Sequence, residues 1–120
     1  MTYLAYGLAI VLDVFVLYIG LRFLFVPHAA AAGYGVPATE RAFLTVKGLR
    51  DGSYGLLGLA LLAFAGAWAS AWFMLVVALN PLGDTVVVLR NGGTKAVAFG
   101  VHFATAVVVL ISAALLFAVS

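Results

Sequence analysis

The sequence predicts an all-α protein, an integral membrane bundle of four transmembrane helices in a single domain over residues 1–120, with the third helix kinked at Pro81. The chain is 67% hydrophobic and 8% charged, with a mean hydropathy of +1.25, whereas roughly a quarter of residues are charged in soluble domains. Its 120 residues accommodate four crossings of about 20 apolar residues each, with short loops and no separate soluble domain. The six Lys and Arg and four Asp and Glu gather at helix ends and on a few inward faces. So few charges, with a net value of +2, point to no nucleic-acid partner; the partner expected is the lipid bilayer. Absence of cysteine excludes a disulfide scaffold and a thiolate metal site.

The first helix reads from Thr2 to Val26, stopped by Pro27, with Asp13 and Arg22 as its only charges. A cleaved signal peptide is the rival reading of this segment, since Ala29 to Ala32 follow an apolar run. Against it stand the missing basic n-region and Asp13 inside the apolar core. His28 to Thr39, with Gly33, Gly35 and Pro37, reads as a loop. A second helix follows from Ala42 to about Ala65, and Gly66 to Ser70 is expected as a tight turn. Helix three is expected from about Ala71 to Leu89, interrupted at Asn80-Pro81, where proline removes a backbone hydrogen bond. Arg90 to Gly93 is a further turn, Thr94 is an N-cap, and helix four runs to the end.

Four spans put both termini on one side of the bilayer. The side they share, with the turn at Gly66 to Ser70, carries no Lys or Arg, while Arg22, Arg41, Arg90 and Lys95 lie at the opposite helix ends. By the positive-inside rule those ends are cytoplasmic and both termini extracytoplasmic.

On helix two, Lys47, Arg50, Asp51 and Tyr54 recur at i, i+3, i+4 and i+7 and share one face. Ionisable groups at membrane depth are costly unless paired or hydrated, so the stripe should turn inward. A network that only fixes helix packing is the alternative reading. At about 1.5 Å per residue the stripe lies roughly 10 to 17 Å from the Glu40 end. On the same ruler Asp84 lies about 9 Å from Arg90 and His102 about 12 Å from Thr94. Three helices thus deliver ionisable groups to one depth.

Asn80 and Asp84 share a face beside the carbonyl that Pro81 leaves free; alternatively Asn80 caps a half-helix and Asp84 sits at its positive dipole end. On helix four Lys95, His102, Thr105 and Ser112 lie along one stripe. His102 reads either as a proton carrier or ligand donor, or as a satisfied core histidine. Asp13, near the centre of helix one, must be neutral or paired with Lys47 or Arg50. Gly48, Gly52 and Gly55 follow the small-xxx-small spacing, read as intramolecular packing before dimerisation. His28 has no partner at metal-ligand spacing, and neither a metal nor a cofactor is expected.

Lys47-Gly48-Leu49-Arg50-Asp51, Pro81-Leu82-Gly83-Asp84 and His102 together resemble the pattern of a small membrane-protein family, domain of unknown function 4267. The resemblance covers most of the chain, rests mainly on the Lys-Gly-x-Arg-Asp element, and implies a four-helix membrane domain without an activity. Asp13 has no assigned place in it. A more distant likeness, to DoxX-like four-helix membrane proteins, rests on size and span count alone, which carry no function.

The leading functional expectation is an intramembrane pocket that opens toward the cytoplasmic leaflet. It would bind a hydrophobic small molecule and grip one polar or anionic group with Lys47 and Arg50. Asp51, Asp84 and His102 would orient that pair, with Tyr54, Asn80 and Thr105 in support and Asp13 beneath. Acid–base conversion of the ligand through a carboxylate and His102 stays open; no nucleophile, phosphate loop or haem pair assigns an enzyme class. A proton-coupled exporter titrating Asp13, working as a homo-oligomer of two subunits, is a second reading. A structural or accessory subunit is a third.

Overall fold

The computed structural model describes residues 1–35 and 40–120, and every described element is helical. In chain order these are α1 (Thr2–Phe25), α2 (Pro27–Tyr34), α3 (Arg41–Phe64), α4 (Gly66–Val77), α5 (Leu79–Arg90), α6 (Lys95–Val97), a π-helical stretch (Ala98–Phe103) and α7 (Ala104–Val119). Three uninterrupted or nearly uninterrupted rods are long and apolar enough to cross a bilayer: Thr2–Phe25, Gly66–Arg90 and Lys95–Val119. The 24-residue α3 matches them in length. It is more polar, carrying Arg41, Lys47, Arg50 and Asp51. Large apolar side chains stand outward, among them Phe43, Phe64 and Trp68. In water such a surface would aggregate; with the apolar rods it fits a small membrane protein.

Local chemistry accounts for most of the boundaries. Pro27 ends α1 and then opens α2 from its first turn, where a missing N–H costs nothing; Gly35, at φ +92°, closes that helix. The segment expected as a loop from His28 is therefore a helix as far as Tyr34, and the part containing Pro37 and Thr39 lies outside the described residues. α3 hands over to α4 at once through Gly66 at φ +88°, so the turn expected over Gly66 to Ser70 shrinks to Ala65–Gly66. Thr94 caps α6, its Oγ1 accepting from the Val97 N–H at 3.1 Å.

Between α4 and α5 the helix is interrupted at Ala78, three residues before Pro81. Pro81 has no N–H for the Val77 carbonyl and its ring crowds that oxygen, so the disturbance appears one turn upstream of the proline. Asn80 lies inside α5 and is not its cap; Ala78 holds that position without a side-chain bond.

Two seams hold the helices. α1 packs antiparallel along α3 through glycines: a Cβ at Gly20 would fall on the Gly52 backbone, and one at Gly55 would meet the Asp13 carbonyl at 2.6 Å and the Leu17 N at 2.8 Å. The second seam joins α1, α4 and α7 through Ala5, Ala9, Ala71, Met74, Ala113 and Leu116. Small residues in both let the backbones approach closely. Near the other end of α1, Phe23, Ala30, Ala31 and Leu44 dock α2 between α1 and α3.

Candidate functional site

The glycine seam sets the position of Asp13. Gly58 of α3 has no side chain, and the Asp13 carboxyl group occupies the notch this leaves, where a Cβ would collide with it. Asp13 is 2% exposed, and its Oδ2 has no hydrogen-bond partner among the described residues. The pairing expected with Lys47 or Arg50 is not formed. Lys47 lies eleven residues up α3 from Gly58, about 16 Å of helix, beyond its side chain's reach.

Lys47 instead pairs within α3, its Nζ donating to Asp51 Oδ2 at 2.9 Å. The same ammonium lies 5.0 Å from the Phe23 ring centroid and 4.7 Å from that of Tyr34, favourable cation–π placements. Arg50 reaches Asp51 Oδ1 only at 3.7 Å through Nε, and its side chain is 44% exposed.

Tyr34, the last residue of α2, ties this group to the other half of the molecule. Its hydroxyl donates to Asp84 Oδ1 at 2.7 Å, and its carbonyl lies 2.8 Å from His102 Nε2. A carbonyl oxygen only accepts, so Nε2 carries the hydrogen and donates. Nδ1 then faces Asp84 Oδ2 at 4.0 Å. His102 stands in the π-helical stretch, whose wider turn shifts the side-chain register relative to a continuous α-helix. Burial first, then the bond to Asp84, holds the Tyr34 hydroxyl protonated well above the ordinary phenol range.

The folded chain therefore binds that proton more tightly than the unfolded chain. Its contribution to stability is complete below about pH 10 and is lost as the pH rises further. Tyr34→Phe is expected to cost roughly 1 to 3 kcal/mol by stranding Asp84. It should also remove the alkaline part of the pH dependence; melting curves in detergent between pH 7 and the alkaline limit check both.

These groups border one cavity of about 230 Å³, whose wall includes Asp13, Lys47, Asp51, Asp84 and His102. Tyr54, Asn80 and Thr105 line it too. Thr105 spends its hydroxyl on the Val101 carbonyl at 2.6 Å. Arg50 is absent from the wall, and Arg22 of α1 is present. Lys95, on the expected stripe with His102, is exposed, as is His28.

Sequence reasoning missed two of these residues. The sequence reading places Tyr34 in a loop, although Pro27 opens and Gly35 closes an eight-residue stretch in the pattern of a short helix. Arg22 reads from the sequence only as a topological charge: it stands two and a half turns, and so half a turn round the helix, from Asp13, and shares its face with Phe15 and Ile19, which line the cavity with it. Among the described residues no cluster could hold a metal ion.

Compared with known proteins, residues 14–116 match the model of a family described as "Domain of unknown function (DUF4267)". The matched stretch contains Lys47, Asp51, Asp84 and His102, and starts just after Asp13. No curated protein and no solved structure matches the chain.

Proposed function

The chain belongs to the DUF4267 family, and we propose that it is a four-span, multi-pass membrane protein whose cavity receives a hydrophobic small molecule with one polar group. A single observation carries this reading. Ionisable side chains from α1, α3, α5 and the π-helical stretch face the same, otherwise largely apolar, cavity. At about 230 Å³ it exceeds the roughly 150 Å³ cavity that admits benzene. Apolar walls with a few convergent polar groups are the usual make-up of a small-molecule site. Part of the polar wall is fixed before a ligand arrives: Asp51 holds Lys47, and Tyr34 holds Asp84. Arg22, rather than Arg50, supplies the further cation.

The test is a native mass spectrum of the gently solubilised chain. A lipophile bound one per chain is expected, retained in Arg50→Ala and lost in Thr105→Phe, where the larger side chain takes up the cavity. A spectrum without any adduct, or an adduct indifferent to Thr105→Phe, counts against the reading.

In this proposal α3 is the fourth span, its charges turned toward the cavity or the interface. Arg22, Arg41, Arg90 and Lys95 mark the cytoplasmic ends, and both termini are extracytoplasmic. A C-terminal reporter that is active only in the cytoplasm should stay silent in cells; a signal from it would invert the orientation.

A further inference from the structure

Of the carboxyl groups facing the cavity, Asp51 has Lys47 and Asp84 has the Tyr34 hydroxyl. Asp13 has neither: it is 2% exposed, its Oδ2 is unpartnered among the described residues, and it borders the cavity. The nearest cation on its own helix is Arg22, nine residues and about 14 Å away. Lys47 is about 16 Å up the neighbouring helix and already engaged. Leaving His102 aside, the wall holds three carboxyl groups, Asp13, Asp51 and Asp84, against two cations, Arg22 and Lys47. Moreover, Gly58 keeps the notch at α3 open for this side chain, and any larger residue there would displace it.

A buried carboxyl group facing an apolar cavity without a partner is costly in itself, and a ligand that brings the missing partner recovers that cost on binding. An acid would find no cation within reach of Asp13, whereas an amine can take the proton of the neutral carboxyl group and leave an ammonium–carboxylate pair joined by a charge-assisted hydrogen bond. From this we infer that the ligand is a lipophilic amine, and that Asp13 is the residue that binds its ammonium group. The inference rests on the cavity being a ligand site and adds the chemistry of the ligand's polar end. Its apolar body would lie against apolar residues that also line the cavity, among them Leu12, Val77 and Val109.

Three probes with one skeleton test it: phenylbutylamine, phenylbutanol and phenylbutyrate. Each is equilibrated by dialysis with the intact chain in nanodiscs of zwitterionic lipid, with empty nanodiscs as reference. The amine is expected to bind at least about tenfold tighter than the alcohol, the difference a charge-assisted bond supplies, and the acid to bind weakest. Asp13→Asn should abolish the amine's preference, and Asp13→Glu should retain it. If no probe binds above the empty nanodiscs, the cavity reading itself falls and this inference with it. If all three bind alike, if the acid binds best, or if the amine's preference survives in Asp13→Asn, the cavity stands and the role of Asp13 is overturned. Should Asp13→Asn fail to fold, the ranking of the three probes on the unaltered chain and on Asp13→Glu decides the matter alone.

Discussion

Gly20→Leu is expected to abolish the folded state, with loss of a monodisperse peak on size exclusion in mild detergent. At Gly20 a Cβ would fall on the Gly52 backbone and within 2.7 Å of the Gly48 carbonyl oxygen. Backbone of a packed helix cannot step aside as a flexible side chain can, so α1 and α3 would have to part along their whole seam. Overpacking commonly costs about 1 to 3 kcal/mol. Here the cost should reach or exceed the upper end, because the seam also holds Asp13 in place. Gly7→Leu is the control: nothing lies within 4 Å of a Cβ there. Gly52→Ala should be tolerated, since its Cβ would meet only Leu17 Cδ1, at 4.0 Å. Equal tolerance of leucine at Gly20 and Gly7 would refute the seam.

Asp51→Ala should destabilise the protein by roughly 3 to 5 kcal/mol, the cost of leaving a buried ion pair half made. Asp51 is buried, and Lys47 is enclosed between Asp51 and the rings of Phe23 and Tyr34. Replacing both members with Leu and Met should recover part of the loss, as apolar pairs often substitute for buried ion pairs. Arg50→Ala is expected to cost less than about 1 kcal/mol, since that side chain is exposed and its contact is long. The measurement is the detergent melting temperature of Asp51→Ala, Lys47→Ala, the double replacement and Arg50→Ala. Additive losses at Lys47 and Asp51 would show that the pair is uncoupled, and a large loss at Arg50 would relocate the network.

Both predictions depend on features of unequal visibility in the chain. The Lys47–Asp51 pair is legible from its i, i+4 spacing, because a helix brings such residues together whatever surrounds it. Thr94 as a cap is legible for the same reason, its hydrogen bond being local, whereas the break expected at Asn80-Pro81 lies at Ala78 instead. Arg50 was less legible. It is adjacent in sequence to Asp51 and so stands about 100° round the helix from it. That leaves it at the margin of the stripe, where the position of the neighbouring helices decides between cavity and exterior. The glycine spacing on α3 announced a close approach, but not that Gly20 and Asp13 of α1 are what approaches, nor that Gly52 has room to spare while Gly55 has none.

Composition and span length by themselves determined the all-helical class and the long apolar rods. These follow from the bilayer's thickness and a constant helical rise, neither of which needs a neighbour. The tertiary structure alone decided which group meets which. Tyr34 joins Asp84 across 50 positions of sequence and His102 across 68, and Asp13 is left without a partner in the notch at Gly58. Periodicity within one helix gives the angle of a side chain about its own axis; where that axis lies, and so what the side chain faces, is settled by packing between segments far apart in the chain.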